Sequence, residues 1–326
     1  METINFWQNK NVFITGGNGF LGSWLVKELL EKEANIIVLI YEEDPRSNFY
    51  KWELDKKVIK IKGQIEDYNL LKSIINKYEI ATVFHLAAQP LVTIALRDPL
   101  HTFESNIRGT YNLLEACRNS QFIKEIVIAS SDKAYGDHDK QPYTEEFALQ
   151  GKHPYDVSKS CTDLLAQTYA KTYKLPVVIT RSGNFYGGGD LYFDRIIPHA
   201  IAQYLMNKKP QLRSDGTHKR DYVYIKDVVD AYITLAEKLH DKNLSGHGFN
   251  FGLGKGVSVL EIVETIKKLM NSNLEPEILD TAKAEIQEQY LNAEKISKVV
   301  GWKPQYSLEE GLKETIEWYK EFLKNK

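Results

Sequence analysis

An α/β fold with a doubly wound parallel sheet and a smaller C-terminal lobe is what this sequence predicts, on three observations. Short β-branched runs alternate with longer amphipathic stretches over residues 1–180, the pattern of repeated βαβ units. Those runs are continuously apolar rather than alternating in and out, which suits strands covered by helices on both faces. A glycine-rich turn stands between the first short run and the first amphipathic stretch.

In chain order, NVFIT (11–15) reads as the first strand, FLGSWLVKELLEKE (20–33) as a helix and NIIVLI (35–40) as the second strand. KVIKI (57–61) is a third strand, YNLLKSIINKYE (68–79) a helix and TVFHLA (82–87) a fourth strand. EIVIAS (125–130) and PVVITR (176–181) continue the sheet. After Arg181 come a Gly-rich aromatic loop, a helix, a charged turn at RSDGTHKRDY (213–222) and a C-terminal helix rich in Glu and Lys. The expected division is residues 1–180 as the sheet domain, with segments around 222–255 returning to it, and 181–326 mainly as the second lobe.

The 326 residues carry 42 Lys+Arg against 44 Asp+Glu, a net charge of -2, and are 43% hydrophobic. Near-neutral charge argues against a nucleic-acid partner, which calls for a net basic face. No apolar run approaches the length of a membrane span, and METINFWQNKNVFIT has no secretory h-region. Cys117 and Cys161 have no second Cys or His at zinc-ligand spacing. Reduced thiols, no metal and a cytoplasmic location are therefore expected.

TGGNGFLG (15–22) follows the first strand and opens the first helix. Gly16 permits the tight turn, Gly19 lets backbone approach a pyrophosphate, and Gly22 allows close helix packing, while the helix N-terminus offers N–H donors. Past the second strand the chain reads IYEEDPRS (40–47), with Glu42, Glu43 and Asp44 just beyond the place where an acidic residue binds the ribose of NAD. Three carboxylates would repel a 2′-phosphate, so NAD is favoured over NADP, for which Arg46 is the alternative partner.

The G-x-x-G-x-x-G spacing, with HLAAQ (85–89), SSDKAYG (130–136) and YDVSK (155–159), resembles the extended, sugar-nucleotide-modifying branch of the short-chain dehydrogenase/reductase superfamily over essentially the whole chain. The resemblance implies a Rossmann-type sheet, a tightly bound cofactor regenerated in each turnover, and cofactor contacts from Gly16, Gly19, Phe20, Leu21, Gly22, Gln64, Ile65, Gln89, Tyr155 and Lys159, with Ala87, Ala88 and Asn106 lying along the cofactor or bracing the active site. GQIED (63–67) departs from it, with Gln64 where relatives carry Asp. It also implies a homodimer through a four-helix bundle formed by helices around 100–118 and 154–173. Leu113, Leu114, Leu164, Leu165 and Tyr169 of these helices either face a partner or pack on the sheet.

Tyr155 and Lys159 are four apart, hence on one face of a helix. A nearby ammonium and a positive nicotinamide lower a phenol towards the working pH, so Tyr155 is a candidate base, with Ser131 sharing the substrate hydroxyl. Asp132 and Lys133 follow Ser131. An acid/base pair there resembles nucleotide-sugar 4,6-dehydratases, and Asp-Lys resembles the CDP-glucose and UDP-N-acetylglucosamine types. Such a carbon–oxygen lyase oxidises C4, removes water across C5–C6 and returns hydrogen to C6. The two proton tasks are open between Asp132 and Lys133, because close pairs titrate together. RSGNFYGGGDLYFDRIIP (181–198) resembles the CDP-glucose enzymes and implies a nucleotide-sugar-binding lobe using Asn184, Arg195 and Arg220. Glu288 stands where relatives place an Arg four residues before the position of Asn292. The alternatives are a 4-epimerase or 4-reductase, a dehydratase stopping at a 5,6-ene, and a cofactor-sensing protein without turnover.

Overall fold

Continuous apolar strands lose their water only between two layers of helix, and the chain achieves this with one central sheet. The computed structural model describes residues 5–281 and 286–324; the first four residues of the N-terminal stretch lie outside them. The first half runs β1 (Asn11–Thr15), α1 (Phe20–Glu31), β2 (Asn35–Ile40), α2 (Asn48–Lys51), β3 (Ile59–Lys62), α3 (Tyr68–Lys77) and β4 (Thr82–His85). Then come α4 (Val92–Arg97), α5 (Pro99–Phe103), a π-helical turn at Glu104–Arg108, α6 (Gly109–Arg118), β5 (Glu125–Ala129), α7 (Pro154–Tyr173) and β6 (Val177–Ser182). The second half comprises β7 (Asn184–Tyr186), α8 (Ile196–Leu205), β8 (Gln211–Leu212), β9 (Lys219–Arg220), β10 (Tyr222–Tyr224), α9 (Ile225–Glu237) and β11 (Gly248–Phe251). It closes with β12 (Val257–Ser258), α10 (Val259–Leu269), β13 (Glu277–Ile278), β14 (Glu288–Gln289), α11 (Glu294–Val300) and α12 (Leu308–Lys324).

The sheet has seven parallel strands in the order β11-β6-β5-β4-β1-β2-β3. Strand order reverses between β1 and β4, and in open α/β sheets ligands bind beyond the carboxyl ends of strands at that reversal. The seventh strand, β11, comes from the second half and pairs with β6 at Gly248↔Ile179 through Phe251↔Ser182. Helices α1 and α9 bury Leu25, Leu29, Val228 and Tyr232 in the core on one face of the sheet. On the other face α3, α6 and α7 bury Ile74, Leu113, Leu114 and Ala166. The segment expected as a charged turn at 213–222 carries β9 and the start of β10: Arg220 pairs with Val257 on one side and Gln289 on the other, and a strand so flanked satisfies backbone groups that a free turn leaves to water.

At the sheet reversal Thr15 Oγ1 meets His85 Nδ1 at 2.8 Å, and His85 Nε2 meets Thr110 Oγ1 at 3.0 Å. Burial pushes the His85 imidazole down to about 3, so this cross-brace is neutral. The Asp163 carboxylate, fully buried on α7, accepts from Arg181 Nε and Nη2 of β6 at 2.7 and 2.8 Å. That bidentate pair fixes α7 against the sheet, and α7 carries half of the site described next.

Candidate active site

The turn between β1 and α1 is built around glycine. Gly16 has φ +72°, and a Cβ there would meet the Ala87 backbone nitrogen at 2.8 Å. A Cβ on Gly22 would lie 2.2 Å from the Gly16 carbonyl oxygen, whereas one on Gly19 would meet only that oxygen, at 3.3 Å. Helix α1 has no side-chain cap and no acidic residue in its first turn. Its first N–H groups are left without a side-chain cap and carry the partial positive charge of a helix start, a cradle that fits a dinucleotide pyrophosphate. Leu21 is buried and Phe20 half-buried against the same core, so their side chains set the helix in place.

The other expected cofactor residues divide. Ala87 donates its N–H to Thr15 Oγ1 at 3.2 Å and, with Ala88, lies half-buried beside the glycine turn. Asn106 is buried in the π-helical turn; its Oδ1 accepts from the Gln89 N–H at 2.7 Å, and its Nδ2 donates to the Gln89 carbonyl and to Ser158 Oγ. It therefore braces the loop after β4 against α7. Gln64 is exposed at the end of β3, while the Ile65 side chain packs into the core and leaves only its backbone for a ligand. Arg46 is exposed and holds Asp44 through two bonds of 2.9 Å, an ion pair that occupies the side chain otherwise available to a 2′-phosphate.

Ser131, Asp132, Lys133, Tyr155 and Lys159 come together. A tight helical turn at Asp132–Tyr135 follows β5, capped by Ser131, whose Oγ accepts from the Lys133 N–H at 3.2 Å and donates to Asp132 Oδ1 at 2.9 Å. Tyr155, in the first turn of α7, is hydrogen-bonded to Ser131. Burial, then the Asp132 charge, pushes the phenol up to about 12, against the pull of Arg195 and Ser131. Lys159 is buried one turn on, its Nζ donating to the Ala129 carbonyl at 2.8 Å, and burial lowers it to about 8. The expectation that the Lys159 ammonium draws Tyr155 towards the working pH is thus not met by the protein alone, because desolvation weighs on both groups in the same small space.

Arg195 belongs to this cluster electrostatically and stands just before α8, donating to buried Asp190 at 3.0 Å. Asn184 is exposed at the start of β7, with its N–H on the Asp221 carbonyl at 2.9 Å. Arg220 is half-buried on β9, in register with Gln289. Glu288 pairs with Lys219 at 2.7 Å, so this position supplies a carboxylate to its own strand pair.

Three features escaped the sequence reading. Gln289 is fully buried against the Asp132–Lys133 turn. Asp221, buried and pushed up to about 6 by burial, accepts the Leu253 and Leu291 N–H groups at 2.7 and 3.3 Å and joins three segments of the second half of the chain. The Gly188 carbonyl accepts from Trp24 Nε1 at 2.8 Å and Asn48 Nδ2 at 2.9 Å, seating the Gly-rich loop on α1 and α2. GSWL and GGGD signalled the last of these; the other two depend on contacts far apart in sequence.

The family described as GDP-mannose 4,6 dehydratase matches residues 13–315. A CDP-glucose 4,6-dehydratase of Salmonella typhimurium is 31% identical, covering 98% of this chain and 93% of its own length. A UDP-glucose 4-epimerase of Thermotoga maritima, solved with UDP-glucose, superposes with a TM-score of 0.88 at 30% identity, over 96% of this chain and 99% of its own. A dTDP-glucose 4,6-dehydratase of Bacillus anthracis, solved with NAD, gives 0.84 at 29% identity, over 96% and 97%.

Proposed function

Because the chain belongs to the GDP-mannose 4,6 dehydratase family, we propose that it is an NAD-dependent nucleotide-sugar 4,6-dehydratase. It converts a nucleotide-diphosphate hexose, of the CDP-glucose or UDP-N-acetylglucosamine type, into the 4-keto-6-deoxy sugar. The observation that carries this reading is the Ser131–Asp132–Lys133 turn standing against Tyr155 in one site. An epimerase needs only a base and a hydroxyl partner at C4, whereas elimination across C5–C6 needs an acid and a base more.

Gly16, Gly19, Gly22 and the first N–H groups of α1 would hold NAD, which would supply hydride acceptance from C4, hydride return to C6 and a positive charge that favours the Tyr155 phenolate. Tyr155, with Ser131 on its hydroxyl, receives the proton of the 4-OH. The resulting 4-ketone acidifies C5–H. Lys133 takes that proton as an amine; the freed electron pair forms the C5–C6 double bond while the C6–O bond breaks. Asp132, as a carboxylic acid, gives its proton to the leaving hydroxyl, which departs as water. Lys133 then returns a proton to C5, and Asp132 regains one, equal to that held by Tyr155, through solvent. Asn184, Arg195 and Arg220 face the nucleotide diphosphate, for which a guanidinium offers paired donors.

Helices α4, α5 and α6 pack on α7, and the outer face of this group leaves Leu96, Leu100, Tyr111, Leu164 and Tyr173 exposed. Leu113 and Leu114 lie inside the core instead, and Leu165 and Tyr169 pack half-buried against it. The exposed set supports a homodimer through a four-helix bundle. Two free thiols, Cys117 and Cys161, agree with a cytoplasmic setting, and among the described residues no helix is long and apolar enough to cross a membrane.

Incubation with CDP-glucose, UDP-N-acetylglucosamine and dTDP-glucose, with products followed by mass spectrometry and NMR, tests the reading. Loss of one water from one of these sugars supports it and names the nucleotide. Inversion at C4 without loss of water replaces it with an epimerase.

A further inference from the structure

Gln289 lies on the two-residue strand β14, fully buried and 156 positions along the chain from Lys133. Its backbone is held on both flanks. On one side β14 pairs with β9, Gln289 opposite Arg220. On the other, Gln141 Nε2 donates to the Glu288 carbonyl at 2.8 Å, Gln141 Oε1 accepts from the Tyr290 N–H at 3.2 Å, and the Tyr143 N–H donates to the Tyr290 carbonyl at 2.9 Å. From this fixed strand the side chain reaches the turn after β5, where Nε2 donates to the Asp132 carbonyl at 3.0 Å and Oε1 accepts from Lys133 Nζ.

The two bonds determine each other. A backbone carbonyl can only accept, so the amide nitrogen must face Asp132, which turns the amide oxygen towards Lys133. A reversed amide would set its oxygen against the Asp132 carbonyl, with Gln289 and Asp132 both buried away from solvent that would relieve the clash.

We propose that Gln289 is the positioning residue of the elimination step, holding the Lys133 amine on a neutral acceptor and the Asp132 peptide on a neutral donor. The inference rests on the reading of Asp132 and Lys133 as the elimination pair. Neutrality is what the chemistry asks for: a lysine that takes a proton from carbon must first be an amine, the Asp156 carboxylate nearby already favours the ammonium, and a further carboxylate in the place of Gln289 would strengthen that hold where an amide does not. An acceptor on one N–H of a neutral amine also fixes where its lone pair points, which a flexible four-carbon stem does not do unaided.

The test uses Gln289→Met, which keeps the side chain's length and removes both bonds, and Gln289→Glu, which keeps the acceptor and adds charge. Each is assayed with CDP-glucose, or with whichever sugar of the panel above the wild-type protein dehydrates. Both variants are expected to oxidise C4, seen as the absorbance of reduced nicotinamide building up in the presence of sugar. Both are expected to lose about 100-fold in kcat for dehydration, the scale of a misplacement of about 1 Å, with KM nearly unchanged and solvent deuterium no longer entering C5. Should Gln289→Met melt early, Gln289→Glu, which fills the same space, carries the test. Dehydration at the wild-type rate in either folded variant, or an equal fall in C4 oxidation and dehydration, overturns the inference. Lys133→Met separates the two levels. Full dehydration by that variant refutes the elimination reading itself, whereas loss in Lys133→Met with none in Gln289→Met refutes only the role of Gln289.

Discussion

Two alanine substitutions in the glycine turn should fail in different ways. At Gly22 the new methyl would sit 2.2 Å from the Gly16 carbonyl oxygen, 2.6 Å from Gly17 Cα and 2.7 Å from Gly17 C. All three are backbone atoms, so the turn must open by about 1 Å, at a cost of about 1–3 kcal/mol for overpacking. For a chain of this size that lowers the melting temperature by about 2 °C per kcal/mol, hence by about 2–6 °C, with or without cofactor. At Gly19 the backbone is extended, φ -80° and ψ -172°, and the methyl meets a single atom at 3.3 Å. Gly19→Ala should therefore melt within about 1 °C of wild type when freed of nucleotide. Its methyl instead crowds the helix start that would hold a pyrophosphate, and a loss of at least about 1.4 kcal/mol there is a tenfold weaker affinity. Differential scanning calorimetry and calorimetric titration of NAD read the two effects separately. Wild-type melting of Gly22→Ala, or wild-type NAD affinity of Gly19→Ala, would refute the reasoning.

Two further outcomes follow from the same structure. Unfolded, Lys159 keeps its proton up to 10.5, whereas folded it releases it near 8, so the unfolded chain binds one more proton between those values and stability rises with pH across that window. Below pH 8 the buried charge costs about 3 kcal/mol, offset by about 1 kcal/mol from the bond to the Ala129 carbonyl. Lys159→Met should thus be more stable than wild type by about 2 kcal/mol at neutral pH, with the gain fading towards pH 10.5 and activity lost; denaturant titrations across that range check it. On the outer helical face, Leu100→Asp with Leu164→Lys should give a monomer by light scattering with an unchanged far-ultraviolet spectrum, since those side chains are 70% and 50% exposed in the single chain. A dimer of wild-type affinity in the double variant would rule out that face.

What the sequence made legible is what local patterning encodes. The β1 and β2 boundaries fall where the apolar runs place them, and α7 begins at Pro154, one residue ahead of the expected YDVSK stretch. The Gly16–Gly22 turn was legible because its steric demand sits within one βα junction. Periodicity could not say which helix residues face outward: Leu113 and Leu164 are both apolar on neighbouring helices, yet one is buried under the sheet and the other half exposed. Nor could it show that Ile65 spends its side chain on the core, packed where a Cβ on Gly109 would stand 2.6 Å away. Gln289 and Asp221 were invisible for a related reason. Each works through residues far off in sequence that the fold brings to it, and a strand of two residues carries no period to read.

The most direct test of the elimination chemistry uses CDP-glucose carrying deuterium at C4, run in ordinary and in deuterated water, with UDP-N-acetylglucosamine labelled in the same way beside it. The account predicts a 4-keto-6-deoxy product whose C6 holds the label from C4 and whose C5 holds solvent deuterium when the water is heavy, both lost with Lys133→Met. A product that keeps its C6 hydroxyl, inverts at C4 and takes no solvent deuterium at C5 would contradict it.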